Sequence, residues 1–169
     1  PTISNAQIDA HLKWYANNQA HIDRVTERSQ RYLHYVVSEM ESNNMPLELA
    51  LLPMIESTYN PFAYSRAKAA GIWQFVSGTG KSFGLKQNWW YDGRRDVMAS
   101  TDAALNYLEQ LNKRFDGNWL LALAAYNSGA GNVRAWIRRT HAPWRWPSAT
   151  AQCRATSAVS EKAASFSLR

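Results

Sequence analysis

Apolar residues recur at intervals of three, four and seven through residues 21–40, at Ile22, Val25, Tyr32, Leu33, Val36, Val37 and Met40. That spacing predicts one long amphipathic helix with a single buried face. A shorter helix is expected before it, over residues 5–14, and Ser42-Asn43-Asn44 marks a break after it. Pro46 suits the first turn of a third helix, where its missing N–H has no intrahelical partner in any case. From Leu47 through Glu56 that helix is apolar nearly all round, the pattern of a helix in the middle of a domain.

Residues 57–70 lose the period. They hold Asn60-Pro61, small residues and two tyrosines, and Gly71, Gly78, Gly80 and Gly84 punctuate the stretch beyond them. Only short helical turns are expected between Gly71 and Leu85. The helical spacing returns over residues 100–115 with Ala103, Ala104, Tyr107, Leu108, Leu111 and Phe115, and Ser100 or Thr101 is the expected N-cap. Asp116-Gly117-Asn118 ends this helix, residues 119–126 form a short and almost wholly apolar one, and Val133, Trp136 and Ile137 give the last helix its buried side. No run alternates with period two, so the expected fold class is mainly α with little or no strand. Pro143 and Pro147 stop any helix after Arg139, and residues 148–169 are rich in Ser and Ala without periodicity. An extended or poorly ordered tail is expected there.

A chain of 169 residues with 46% hydrophobic content supports one domain with a real core and leaves little for a second. The expected division is one domain over residues 1–140, with its core in 22–138, and the tail over 141–169. No stretch reaches the roughly 18 to 20 apolar residues of a spanning helix, so a soluble chain is expected. Pro1-Thr2-Ile3-Ser4-Asn5 has no basic region followed by an apolar run, and no export signal is expected within it. The lone Cys153 excludes an internal disulfide and a cysteine-rich metal site, and neither a metal nor a cofactor is expected. Nineteen Lys and Arg against thirteen Asp and Glu give a formal net charge of +6, which favours an anionic partner: a cell-wall polymer, a nucleic acid or a membrane surface. The basic residues are interleaved with acidic ones, Arg24, Arg28 and Arg31 with Asp23 and Glu27, and Arg94-Arg95 with Asp92 and Asp96. This weighs against a nucleic-acid stripe.

Glu56 ends the most apolar helix, where a buried element meets an irregular loop. Desolvation and the negative end of the helix dipole both disfavour a carboxylate there, which suits a general acid acting on a glycosidic oxygen. The plainer alternative is a solvated helix-end residue. Ordinary glycosidases need a second carboxylate. Glu39, Glu41, Asp92, Asp96, Asp102, Glu109 and Asp116 instead read as solvated faces, caps or ion pairs. One carboxyl suffices where an N-acetylated sugar supplies the missing nucleophile. Gly71-Ile72-Trp73-Gln74-Phe75 sets an amide between aromatics after a glycine that permits close backbone approach. An aromatic face can cover a pyranose and a fixed amide can donate to and accept from an N-acetyl group, or the aromatics can simply be core. Ala125-Tyr126-Asn127-Ser128-Gly129 offers a phenol and an amide at another helix end, or a C-cap with Asn127 or Gly129 at positive φ.

Leu52-Pro53-Met54-Ile55-Glu56-Ser57, Ala70-Gly71-Ile72-Trp73-Gln74-Phe75 and Ala124-Ala125-Tyr126-Asn127-Ser128-Gly129-Ala130-Gly131-Asn132-Val133 occur in that order, with Thr79-Gly80, Phe83-Gly84-Leu85, Asp92, Arg94-Arg95-Asp96, Ala103-Ala104 and Tyr107-Leu108 between them. Together they resemble the lytic transglycosylase family with its SLT domain. The resemblance covers residues 22–138. It implies a lysozyme-like, mainly α single domain, similar to goose-type lysozyme, with a groove for alternating N-acetylglucosamine and N-acetylmuramic acid. Glu56 matches the catalytic glutamate. Ser57, Gln74, Tyr126 and Asn127 match groove positions, and Gly71 and Phe75 shape the wall beside them. The implied partner is the peptidoglycan glycan strand rather than nucleic acid, and the implied reaction leaves a 1,6-anhydromuramyl end. The implied setting is a monomer in the bacterial envelope, in the periplasm, with outer-membrane anchoring open to the full-length protein. One departure stands out: the family's Leu-Pro, Glu-Thr and Tyr-Val-Pro segments, the last with a tyrosine facing the glutamate, have no match in residues 141–169. A groove open on that side would weaken cleavage, and the alternative reading is a peptidoglycan-binding module with reduced or no turnover.

Overall fold

A computed structural model describes residues 6–140, so the expected tail over 141–169 lies outside the described residues. The fold is mainly α, and no strand occurs among the described residues. The nearest approach is three isolated bridges, Tyr64 with Ala70, Ala70 with Phe75, and Gln87 with Asp92. The described residues fall into two compact units, one spanning Asn18–Tyr107 and the other drawn from residues 6–17 and 108–140. No helix among the described residues is long and apolar enough to cross a membrane.

Among the described residues α1 (Ala6–Ala16) comes first, in the other unit; in the Asn18–Tyr107 unit the single helix expected over residues 21–40 is two, α2 (Gln19–Ser29) and α3 (Leu33–Ser42). Residues 26–31 are all polar, so nothing in that stretch holds a buried face one or two turns beyond Val25. The chain tightens there instead: the Ser29 hydroxyl donates to the Thr26 carbonyl at 2.8 Å and Tyr32 N–H to Ser29 O at 2.9 Å. Tyr32 leaves the helical region at φ −126° before α3 begins. The buried stripe survives the break, with Val25, Val36 and Met40 in the core.

The helix expected from Pro46 to Glu56 is also divided, into a 3₁₀ helix (Leu47–Leu51) and α4 (Leu52–Ser57), with Pro46 preceding the first and Pro53 in the first turn of the second. Pro53 has no N–H for a carbonyl four residues back, and its ring crowds that carbonyl, so a continuous α-helix cannot pass through it. Nor is the segment buried all round: Leu49, Ala50, Leu52 and Pro53 are buried while Leu47 and Leu51 face solvent.

After α5 (Ser77–Ser82) comes α6 (Val97–Arg114), which starts three residues before the expected position. Its cap is Asp96, whose carboxylate accepts from Ala99 N–H at 3.0 Å. Ser100 and Thr101, expected as caps, are fully buried inside the helix. The Thr101 hydroxyl accepts from the Trp73 indole at 3.0 Å.

In the other unit, Leu108, Leu111 and Phe115 bury the end of α6. Gly117 at φ +81° closes that helix by donating to Asn112 O at 2.9 Å. Asn118 then caps α7 (Trp119–Ser128) through Leu121 N–H at 3.1 Å. This helix packs on α8 (Ala130–Thr140). The intervening Gly129 stands at φ +90°, so it takes the positive φ that Asn127 was also a candidate for.

Candidate active site

Glu56 lies in the last turn of α4 and is 6% exposed. Among the described residues it is the one buried carboxyl. Two successive residues at positive φ, Thr58 and Tyr59, close the helix behind it, donating to Met54 O at 3.1 Å and Pro53 O at 3.2 Å respectively. Their side chains hold this unusual ending in place. Arg28 donates to the Thr58 hydroxyl at 2.8 Å, and the buried Tyr59 phenol donates to Ala50 O. Burial pushes the pKa of that phenol well up. It stays a neutral donor.

Ser57 joins the helix end to the next motif. Its hydroxyl is buried and donates to Ile72 O at 2.9 Å, with Pro53 O at 3.2 Å. Residues 70–75 form a tight turn in which Ala70 N–H donates to Phe75 O at 3.0 Å and Gly71 N–H to Ala63 O at 3.1 Å. Trp73 and Phe75 are both buried, Phe75 against Tyr107 with ring centroids 6.4 Å apart. They are core aromatics rather than open sugar platforms. Gln74 is buried as well, at φ +50°, and its Nε2 donates to Gly71 O at 2.8 Å and Ala63 O at 3.3 Å. Two carbonyl partners fix the amide orientation and use both N–H groups. Its Oε1 is buried without a partner among the described residues. The amide therefore presents an acceptor only, where the sequence allowed both a donor and an acceptor.

Arg94 braces this turn and is as buried as Glu56. Its guanidinium makes a two-point contact with Asp92, at 2.9 and 2.7 Å, and donates to Lys68 O at 2.8 Å and Phe75 O at 3.2 Å. Its own carbonyl lies against Gly71, where a Cβ would come within 1.7 Å of the oxygen. The charge pattern of residues 92–96 was legible, but not that Arg94 spends its donors on backbone carbonyls. Hydrogen bonds from Arg94 hold the Asp92 carboxyl below its ordinary pKa, and the capping bond from Ala99, with one from Tyr91, does the same for Asp96. Neither is suited to proton donation.

A group depressed in the folded state contributes stability that is present above its unfolded value, about pH 4, and lost as pH falls through the folded one. Asp92→Asn should accordingly melt below the wild type at neutral pH, with the difference shrinking under pH 4. A constant difference across that range, followed by thermal unfolding, would remove the ion pair as the cause.

Tyr126 and Asn127 belong to the other compact unit, in the last turn of α7, and both are half-buried.

The chain belongs to the Transglycosylase SLT domain family, whose model matches residues 36–147. The fold class of that family is lysozyme-like and mainly α. Membrane-bound lytic murein transglycosylase D of Escherichia coli (strain K12) is 48% identical over 138 residues, covering 82% of this chain and 30% of the relative. A putative tributyltin chloride resistance protein of Alteromonas sp. (strain M-1) is 52% identical over 106 residues, 63% of this chain and 51% of that protein. A putative soluble lytic murein transglycosylase of Haemophilus influenzae is 30% identical over 157 residues, 81% of this chain and 26% of the relative. The chain thus spans about a third of the Escherichia coli protein and about half of the Alteromonas one.

Proposed function

We propose that this chain is a peptidoglycan lytic transglycosylase domain, cleaving the β-1,4 bond between N-acetylmuramic acid and N-acetylglucosamine without water. The observation that carries the reading is the buried carboxyl of Glu56, the one such group among the described residues, on a helix end tied through Ser57 to the turn that holds Gln74. Names of relatives that include murein transglycosylases support the substrate class.

In the proposed cycle the protonated Glu56 gives its proton to the bridging oxygen as the C1–O4 bond breaks. The muramyl N-acetyl group stabilises the resulting cation. The Glu56 carboxylate then takes the proton from the C6 hydroxyl of the same sugar as O6 bonds to C1, closing the 1,6-anhydro ring and returning the acid. One carboxyl alternates between two protonation states, so the cycle needs no second carboxylate. The Gln74 Oε1 is assigned to accept from a sugar N–H or O–H, since a buried acceptor left unpaired costs stability that a ligand can restore. Gly71 and Phe75 are assigned to the wall that fixes it, while Ser57 sets the distance from helix to turn. Tyr126 and Asn127 are assigned to glycan binding on the resemblance alone. The proposed setting is the periplasm of the cell envelope, with the chain acting as a monomer.

The test is a product mass. Purified sacculi digested by the chain should release muropeptides one water lighter than hydrolysis products. Ordinary reducing ends would make the chain a hydrolytic lysozyme, and sacculus binding without release would favour a binding module.

A further inference from the structure

The loop between α5 and α6 carries two tryptophans left open to solvent by the described residues. Trp89 is 90% exposed and Trp90 91%, with Tyr91 exposed beside them. The loop is nevertheless firmly built. Asn88 N–H donates to Tyr91 O at 2.9 Å, and the Asn88 side-chain oxygen accepts from Trp90 N–H at 2.9 Å and Tyr91 N–H at 2.8 Å. Below it Gly93 N–H donates to Lys86 O at 2.8 Å, and the Tyr91 phenol donates to Asp96 at 2.9 Å. The next turn of chain is Asp92 and Arg94, the pair that anchors the Gln74 turn.

Two indoles standing in water leave on the order of 400 Å² of apolar surface exposed, as much as the largest patch on an ordinary monomer. They border an open concavity of about 430 Å³ lined also by Asn88, Tyr91, Asp92, Arg95 and Asp96. Asp92 is neutralised by Arg94 and Asp96 is spent on a cap and a phenol. Arg95 forms no ion pair among the described residues and lies over the Tyr64 ring, 5.9 Å from its centroid. An aromatic face with a polar rim and a cation that has no ion pair among the described residues matches a pyranose, which has an apolar C–H face, a ring of hydroxyls and, on a cell-wall strand, carboxylates nearby.

We propose that Trp89, Trp90 and Tyr91 form a glycan-stacking platform, separate from the candidate catalytic turn, that holds a sugar of the peptidoglycan strand with Arg95 facing an acidic group of the polymer. The choice of strand rests on the proposed function. A membrane-inserting tip would carry the carboxylates of Asp92 and Asp96 toward the acyl region, which is costly. A stable protein interface needs about 800 Å² per partner, roughly twice what the loop offers.

The experiment compares the chain with a Trp89→Ala/Trp90→Ala variant by co-sedimentation with purified sacculi, and by co-sedimentation with phosphatidylglycerol vesicles. Both side chains are nearly free of contacts, so the melting temperature reports that the variant is folded. Sacculus affinity should fall by about tenfold or more, which corresponds to about 1.4 kcal/mol, and Arg95→Ala should weaken it further at low salt. Sacculus affinity equal to the wild type overturns the platform, and so does a loss confined to vesicles, which would reassign the loop to lipid. Product release by the wild type is read in the same samples. Binding that depends on the tryptophans without release would leave the platform standing and remove the lytic reading, and release with tryptophan-independent binding would do the reverse.

Discussion

Glu56→Gln is expected to fold as the wild type does and to lose about 10⁴-fold in the release of anhydromuropeptides from sacculi, the upper range for removing an acid–base group. An amide has nearly the size of a carboxyl, so the α4 ending with Thr58 and Tyr59 at positive φ, and the Ser57 bond to Ile72, have no steric reason to change. What disappears is chemical. The amide can neither protonate the leaving oxygen nor take the proton from O6, so both halves of the proposed cycle fail together. Asp92 and Asp96 cannot substitute, because each is held below its ordinary pKa by committed bonds. Gln74→Ala or Tyr126→Ala should cost far less, on the order of 10- to 100-fold, since positioning is shared among several groups. Quantitative mass spectrometry of the soluble products, alongside thermal melting, checks this. Residual cleavage within tenfold of wild type in a folded Glu56→Gln protein would take the acid–base role from this side chain.

The burial of Glu56 was legible because its signal is local: the carboxyl stands at the end of an apolar run. The helices were legible for the same reason, since Val25, Val36 and Met40, or Leu108, Leu111 and Phe115, declare a face by spacing alone. Breaks inside helices were harder. Pro53 sits within an apolar run that reads as continuous until its missing N–H is counted, and the break at residues 30–32 lies where polar residues leave a helix face unanchored without any glycine or proline to mark it. Partner choice was not legible. Thr101 looks like a cap until Trp73 is found donating to it, and Arg94 looks like part of a solvated charge cluster until its guanidinium is found on the carbonyls of Lys68 and Phe75. The same holds for the tryptophans. Composition says that a sugar-binding protein can use them, but only folding separates the buried Trp73 from the open Trp89 and Trp90.

Three glycine-to-alanine changes separate backbone strain from steric conflict, and the largest effect is expected at Gly71. Its φ of +82° alone costs an alanine about 1 to 2 kcal/mol. The added Cβ would also lie 1.7 Å from the Arg94 carbonyl oxygen and 2.7 Å from its carbon, which are backbone atoms and cannot rotate away. Nor can Arg94 withdraw easily, because Asp92, Lys68 O and Phe75 O hold its side chain. Relief must come from moving the turn that carries Gln74, so Gly71→Ala should lose on the order of 3 to 5 kcal/mol, a drop of about 10 °C or more in melting temperature. Gly84 has a similar φ of +81° with nothing near its Cβ position, and Gly84→Ala should show the dihedral cost by itself. Gly78, in α5 with open space around it and no positive φ, should gain a few tenths of a kcal/mol on the same substitution as the unfolded chain loses freedom. Equal melting temperatures for the Gly71 and Gly84 variants would mean that the close approach of Arg94 to the turn is not what fixes it.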